Sequence, residues 1–251
     1  MSAHSNRHDQ GDIARVVNIE AHELFERYYA TSVPVLLPSF AANWPALSKW
    51  SPQAFAARFG AVEVNVACLG EVPHAEARLP YQRWQTLPFR LLAELMTREA
   101  NASVYLVAQS QALRHPELQE LWDDLPLRPP FFDADRRSSA VSLWMGPAGS
   151  ITPLHHDQQS VLLVQVYGSK RIKLISPEYS ARLYNDHGGY SRVDPELSEL
   201  DPWPLFANVP VHTVTLDPSD ALFVPLGWWH HVRSVSASIS ISLGNFSWSK
   251  G

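Results

Sequence analysis

Apolar and polar residues alternate in short runs along the second part of the chain, a pattern that predicts β-strands. Turn signals such as Tyr167-Gly168-Ser169 and Asp217-Pro218-Ser219-Asp220 separate these runs. The predicted strands cover residues 104–109, 140–145, 151–157, 161–166, 170–175, 212–216, 221–224 and 232–243. Their spacing indicates a mainly β fold, an antiparallel barrel or sandwich with flanking helices packed on its outside.

The first part of the chain, up to about residue 102, predicts helices with short strands between them. Helices are expected at residues 20–29, 51–60 and 88–98. The second carries Ser51 at the N-cap position, Pro52 at the first helical position and Gly60 after the last turn. Strands are expected at residues 33–37 and 62–66, and Pro34 indicates a sheet-edge position for the first of them.

The chain is predicted to form one domain behind a short tail. Residues 1–14 are expected to be a flexible tail and residues 15–251 a single domain, with a flank to about residue 102 and a barrel core at about 103–248. Two stretches rich in Pro, Asp and Arg, 114–139 and 177–210, predict long surface loops near the barrel mouth, where specificity is expected to lie.

Composition narrows the class of protein. With 45% apolar and 18% charged residues in 251, the chain can form a sizeable core, and global disorder is excluded. The net charge of -5 argues against a general nucleic-acid binder. Cys68 is the single cysteine, which excludes an intramolecular disulfide and a cysteine-based zinc site. No apolar run reaches membrane-span length, so we expect a soluble, cytoplasmic protein without a membrane partner.

Two histidines and an aspartate are the most informative polar residues. His155 and Asp157 stand two apart on a predicted strand, so they project to the same face, whereas His156 projects to the other. A second pair, His230 and His231, follows Gly-Trp-Trp, and spacing alone does not choose between them. Two imidazoles and one carboxylate suit non-haem Fe(II) with open positions for a cosubstrate and oxygen. The set therefore indicates an oxygenase.

Lys170 gives a second, independent indication. Alternation places it on the apolar face of its strand, with Ile172 and Leu174. A lysine on such a face needs an anionic partner or a path to water. Two interpretations stay open: the side chain extends outward from the strand end to solvent, or its ammonium group meets a ligand carboxylate inside the barrel.

Several segments carry the motifs of one enzyme family in the same order and spacing. They are Pro34-Val35-Leu36-Leu37 with Trp44-Pro45, Val104-Tyr105-Leu106, Trp144-x-Gly146-Pro147 continuing to Thr152-Pro153-Leu154-His155-x-Asp157, Gln165-Val166-x-Gly168-x-Lys170-Arg171, and Asp220-Ala221-Leu222-Phe223-Val224-Pro225-x-Gly227-Trp228-Trp229-His230. By these motifs, nearly the whole chain resembles the JmjC (Jumonji C) 2-oxoglutarate oxygenases in their small hydroxylase branch. The resemblance is closest to hydroxylases of the factor-inhibiting-HIF and arginyl-hydroxylase type.

This resemblance implies a fold and a set of binding residues. The fold is a double-stranded β-helix, the jelly-roll barrel of cupins. Fe(II) would be held by His155, Asp157 and His230, with 2-oxoglutarate as cosubstrate and O2 as oxidant. The resemblance also implies four residues around the cosubstrate: Lys170, Thr152 and Tyr105 on its distal carboxylate, and Trp144 beside it.

Two positions depart from the family pattern. Relatives often carry an asparagine four residues after the metal-binding aspartate, where this chain has Val161. The late strand is also shifted by one residue where relatives place a second asparagine. Asn245 or Ser242 is expected to compensate.

The resulting expectation is an Fe(II)- and 2-oxoglutarate-dependent hydroxylase that acts on a side chain of a protein or peptide and yields succinate and CO2. Three alternatives share the fold or the chemistry: an N-methyl-lysine demethylase, a hydroxylase of small molecules or tRNA bases, and a cupin binding protein without catalysis. A metal-dependent isomerase on a cupin scaffold would call for further His or Glu ligands near the first pair, where Gln158 and Gln159 stand instead.

Overall fold

The computed structural model describes residues 13–68, 83–98, 104–185, 188–196 and 203–248. The predicted N-terminal tail therefore lies outside the described residues as far as residue 12, and the same holds for residues 186–187 and 197–202 of the second predicted loop. The first strand begins at Ala14, the last residue of the predicted tail.

Strands make up most of the second part of the chain, as predicted. They are β1 (Ala14–Arg15), β2 (Val35–Leu37), β3 (Glu63–Cys68), β4 (Trp84–Pro88), β5 (Val104–Tyr105), β6 (Val141–Gly146), β7 (Ile151–His156), β8 (Val161–Tyr167), β9 (Lys170–Ile175), β10 (His212–Leu216), β11 (Ala221–Val224), β12 (Trp229–Ser234) and β13 (Ser238–Leu243). The predicted bounds of β6 to β11 differ from these by at most one residue at either end.

Helices lie mainly before the barrel. They are α1 (Ala21–Leu24), continued by a π-helical turn Phe25–Tyr29, then α2 (Ala46–Lys49), α3 (Pro52–Phe59), α4 (Phe89–Thr97) and α5 (Arg137–Ala140). The predicted cap of α3 is confirmed, because the Ser51 hydroxyl accepts a 3.1 Å hydrogen bond from the backbone N–H of Ala54. No helix among the described residues is long and apolar enough to cross a membrane.

Two sheets face each other and form the barrel. One has the strand order β1-β2-β11-β8-β13-β6 and the other β10-β9-β12-β7. Apolar side chains from both sheets meet between them and form one buried cluster: Leu36, Ile172, Leu174, Val214, Leu216, Leu222, Val224 and Val232. The predicted jelly-roll fold is thereby confirmed.

A larger core lies on the outer face of the six-stranded sheet. Helices α1 to α4 and a small sheet, β4-β3-β5, pack there through large side chains such as Trp50, Phe55 and Phe89. Strand β2 is not an edge strand, contrary to the prediction from Pro34. The proline precedes the strand, and β2 pairs with β11 on one side and with the two-residue β1 on the other.

Two strand predictions were too long. The strand predicted at 104–109 ends at Tyr105, because the chain turns into short 3-10 helices at Ala108–Ser110 and Ala112–Arg114. The strand predicted at 232–243 is two strands, β12 and β13, separated by a turn at residues 235–237. The turn carries the chain from one sheet to the other: β12 belongs to the four-stranded sheet and β13 to the six-stranded sheet.

The predicted surface loops are partly buried. Residues 114–139 include the 3-10 helices Pro116–Asp124 and Ala134–Arg136, and Leu118, Leu121 and Trp122 are buried. The second stretch covers the outer face of the four-stranded sheet with Leu183, Val193 and Phe206. The prediction of long surface loops therefore holds only in part, because both segments have exposed residues and also contribute apolar side chains to the core.

Candidate active site

A cavity of about 330 Å³ opens between the two sheets. Its apolar wall consists of Val161, Leu163, Ile172, Val224 and Val232. All seven residues expected to bind metal or cosubstrate also line it: Tyr105, Trp144, Thr152, His155, Asp157, Lys170 and His230. A cavity of this size suits a small organic ligand.

Pairing of β7 with β12 brings two histidines and an aspartate together. His230 lies directly opposite His155 in the register of the two strands, and Asp157 follows the end of β7. The Asp157 carboxylate oxygens lie 3.7 Å from Nε2 of His155 and 3.7 Å from Nε2 of His230. One ligand atom from each residue lies within 4.8 Å of the others, a separation that a single metal ion can bridge.

Both histidines are oriented by the backbone two residues earlier. Nδ1 of His155 is hydrogen-bonded to the Pro153 carbonyl at 2.8 Å, and Nδ1 of His230 to the Trp228 carbonyl at 3.1 Å. This arrangement fixes each ring and leaves Nε2 as the ligand atom. Burial lowers the pKa of His155 to about 3, so its imidazole is neutral and free to donate a lone pair.

The neighbouring histidines lie on the opposite face, which settles the choice that spacing left open. The His156 ring lies 4.7 Å from the Trp229 ring, outside the cavity. His231 is buried with its Nε2 3.8 Å from an Asp194 carboxylate oxygen, and burial lowers its pKa to about 4. His230 is therefore the member of the second pair that faces the cavity.

Lys170 points into the barrel and not to solvent. It is only 1% exposed, and its Nζ donates hydrogen bonds to the Tyr105 hydroxyl at 3.0 Å and to the Ser240 hydroxyl at 2.6 Å. Burial lowers its pKa to about 7. None of the ion pairs among the described residues includes Lys170. A buried amine with neutral partners is suited to receive an anion.

The other expected cosubstrate residues surround this amine. The hydroxyl groups of Tyr105 and Thr152 are hydrogen-bonded to each other, and burial raises the pKa of Tyr105. The Lys170 ammonium lies 5.9 Å from the centre of the Trp144 ring. Trp144 in turn donates a 2.9 Å hydrogen bond to the Ser242 hydroxyl. Together these side chains form a hydroxyl-rich pocket around one cation.

The two candidates for the missing asparagine differ in position. Ser242 and Val161 both line the cavity. Asn245 is turned away, since its amide donates a 2.9 Å hydrogen bond to the Asp133 carbonyl. Of the two predicted substitutes, only Ser242 is placed to act on a ligand in the cavity.

Two residues of the site were not predicted from the sequence. Ser240 contacts Lys170, and its alternation with Ser242 along β13 was a signal that could have found it. Tyr190 stacks on His155 with ring centres 5.4 Å apart and lines the cavity. Tyr190 comes from the middle of an irregular segment, where the sequence carries no periodic signal.

Comparison with known proteins agrees with this geometry. The family described as cupin-like domain matches residues 21–249. Lysine-specific demethylase 8 of Xenopus tropicalis is 29% identical over 231 residues, which cover 89% of this chain and 50% of that protein. Jumonji C domain-containing protein 5 of Drosophila melanogaster is 29% identical over 248 residues, 92% of this chain and 59% of that protein.

A third relative, a human protein, is matched over more of its length. The bifunctional peptidase and (3S)-lysyl hydroxylase JMJD7 is 26% identical over 242 residues, which cover 83% of this chain and 76% of that protein. The chain spans only half to about three fifths of the Xenopus and Drosophila proteins. The cupin-like match, residues 21–249, contains every residue that lines the cavity.

Proposed function

We propose that the chain hydroxylates a side chain of a protein substrate. The premise is that it belongs to the cupin-like JmjC family of Fe(II)- and 2-oxoglutarate-dependent oxygenases. One observation carries this proposal. The cavity that contains His155, Asp157 and His230 also contains the buried cation Lys170. A dicarboxylate that chelates a metal ion at one end would find a cation for its other carboxylate in the same small cavity.

The residues present fit the iron and the cosubstrate. His155, Asp157 and His230 would hold Fe(II) on one face and leave the remaining positions open. With 2-oxoglutarate and O2, the bound iron supplies an oxidation in which one oxygen atom enters succinate, CO2 is released, and the other oxygen atom is inserted into a substrate C–H bond.

Lys170 is proposed to bind the distal carboxylate of 2-oxoglutarate. Its Nζ already donates to hydroxyl oxygens of Tyr105 and Ser240, so it is positioned before the ligand arrives. A carboxylate beside it would keep the amine protonated and accept a charge-assisted hydrogen bond. The Thr152 and Tyr105 hydroxyls can turn their protons to the same carboxylate.

The rest of the cavity is proposed to exclude water and to orient the cosubstrate. Val161, Ile172 and Val232 line the same cavity as the metal ligands and Lys170 and give it an apolar wall. Trp144 is held by its bond to Ser242, so its ring can form a rigid side of the pocket. A dry and fixed pocket limits the loss of oxidising equivalents to solvent.

The proposed substrate is a protein side chain because of the relatives. Their names state lysine-specific demethylation for the Xenopus protein and lysyl hydroxylation for the human one. Both activities modify a side chain of a polypeptide. Demethylation is the second candidate, since hydroxylation of an N-methyl group gives an unstable product that releases formaldehyde.

Isotope labelling tests the proposal and separates its two versions. Protein substrates from a cell extract would be incubated with the enzyme, Fe(II), 2-oxoglutarate and heavy-isotope O2, then analysed by mass spectrometry. We expect the label in succinate and, as one added oxygen atom, in a peptide side chain. Loss of a methyl group with formaldehyde release would favour the demethylase, and label in succinate only, with every extract, would contradict a protein substrate.

A further inference from the structure

A surface groove leads away from the active-site cavity. A second depression, of about 240 Å³, shares Ala108, Gln109, Ser139 and Ser142 with the cavity. A third and wider one, of about 830 Å³, shares Leu113, Arg114 and Ser138 with the second. Because successive depressions share wall residues, they adjoin one another in a row that begins at the cavity, and we call this row the groove.

The groove changes character along its length. Where the second depression meets the cavity, the shared polar residues are neutral: Gln109, Ser139 and Ser142. Farther out, Arg114 lines both the second and the third depression, and Arg137 lines the third together with one acidic residue, Asp135. The outer groove is therefore basic, although the whole chain has a net charge of -5.

Both arginines are exposed, and their positive charges can interact with a ligand in the groove. Arg114 donates from Nε to the Ser138 carbonyl at 3.0 Å, and from Nη1 to the Gln111 side-chain oxygen at 3.3 Å. The Arg137 guanidinium lies over the Trp122 ring, 5.1 Å from its centre. Neither is among the ion pairs formed by the described residues, so Asp135 does not neutralise them at contact distance.

One wall of the groove is a strand edge. Strand β6 is the last strand of the six-stranded sheet, and Met145 directs its N–H and C=O outward to Leu106. Val141 and Leu143 have the same parity, so their backbone groups also point away from β13, toward the side where the groove lies. Val141 and Leu143 are only 7% and 2% exposed, so this strand bounds the groove without offering a free pairing edge, and it is the length of the groove that favours an extended polypeptide.

We propose that the groove binds an extended segment of the polypeptide substrate and that Arg114 and Arg137 recognise an acidic residue in it, at a distance from the modified side chain. This inference rests on the proposed function and adds a substrate class to it. The planar guanidinium group pairs with a carboxylate through two parallel hydrogen bonds. Neutral residues nearer the cavity place no charge requirement on the modified residue itself.

The test compares peptide pools that differ in a single group. Short fluorescein-labelled peptides of neutral, otherwise degenerate sequence would carry one Asp, scanned along the peptide, or Asn at the same position. Binding would be measured by fluorescence anisotropy, without oxygen, to the protein loaded with Fe(II) and 2-oxoglutarate. We expect the favoured Asp pool to bind roughly three- to tenfold more tightly than its Asn partner, and less so at high salt.

Variants assign the preference to the two arginines. It should disappear in the double variant Arg114→Gln/Arg137→Gln. Arg90→Gln, whose Nε likewise donates to a backbone carbonyl on an exposed surface, should leave it unchanged. Circular dichroism checks that each variant is folded. Arg137→Glu alone, a surface change, should weaken or reverse the preference even if the double variant fails to fold.

Two results would overturn the inference: equal binding of every Asp and Asn pair by the wild type, or a preference that survives both Arg137→Glu and the double variant. Consumption of 2-oxoglutarate without peptide, measured on the same preparation, separates this inference from the proposed function. Turnover without any Asp preference contradicts the groove assignment alone. An Asp preference in a protein that neither binds nor consumes 2-oxoglutarate contradicts the proposed function alone.

Discussion

Replacing Lys170 by methionine should change stability and ligand binding in opposite directions. The side chain is 1% exposed, and burial lowers its pKa from 10.5 to about 7. That fall corresponds to roughly 5 kcal/mol spent on keeping the amine charged in the folded, ligand-free protein. Methionine has a similar length and no charge, so it removes this cost and keeps the packing.

The gain is partly offset by lost hydrogen bonds. Lys170 donates to Tyr105 and Ser240, and each bond contributes about 1 kcal/mol. We therefore expect Lys170→Met to raise the free energy of unfolding of the ligand-free protein by roughly 2–3 kcal/mol. For 2-oxoglutarate, loss of the buried cation should cost about 2–4 kcal/mol, or roughly 30- to 1000-fold in the dissociation constant.

Two measurements check this pair of effects. Urea denaturation of the metal-free protein gives the stability, and calorimetric titration of 2-oxoglutarate into the Fe(II) protein without oxygen gives the affinity. Lys173→Met is the matched control, since Lys173 lies on the same strand and projects to the opposite face. A Lys170→Met protein that is less stable than the wild type and binds 2-oxoglutarate with unchanged affinity would contradict both expected effects.

Three further predictions concern the scaffold and pH. Trp229→Ala should lower the free energy of unfolding by about 3–5 kcal/mol, because this side chain is buried; a loss below about 1 kcal/mol in urea denaturation would contradict its place in the core. Asp124→Ala should lower the free energy of unfolding by about 3 kcal/mol or more, because the buried carboxylate accepts a 2.8 Å hydrogen bond from the Trp50 indole. The same change at the exposed Asp123 should have little effect in urea denaturation. Because the pKa of Lys170 is lowered from 10.5 to about 7, the unfolded chain keeps a proton that the folded chain loses between these values. Ligand-free stability should therefore rise with pH across that window, and denaturation of Lys170→Met at the same pH values should not show this rise.

Strand periodicity predicted much of the barrel and its charged residues. Alternation placed His155 and Asp157 on one face and Lys170 among apolar neighbours, because a strand with one buried face leaves little choice of register. It could not choose between His230 and His231, since that choice depends on where the chain enters β12. Family resemblance made that choice, and the pairing of His230 with His155 agrees with it.

Thr152 marks the limit of the periodicity argument. It stands three residues before His155, so strict alternation would place it on the opposite face. The register of β7 against β12 shifts by one residue between these two positions, an irregularity that returns both side chains to the cavity. No local sequence signal marks such a shift, and only the family motif indicated that Thr152 faces the cavity.

The irregular segments were the least predictable part. Residues 114–139 and 177–210 are rich in turn-forming residues, so their sequence indicated exposed loops. Apolar residues of both segments, such as Trp122 and Phe206, are instead buried. They cover sheet or helix faces that would otherwise be exposed to solvent. Tyr190 enters the site from such a segment and could not be found from the sequence alone.

The most direct test of the account is succinate formation from 2-oxoglutarate under air with Fe(II), measured for the wild type and for Asp157→Ala. The Asp157 carboxylate lies 3.7 Å from the ligand nitrogens of both histidines, so its removal should abolish iron binding without loss of a core side chain. We predict slow but measurable turnover by the wild type and none by the folded variant. Equal succinate formation by both proteins, or no turnover and no 2-oxoglutarate binding by the wild type, would contradict the account.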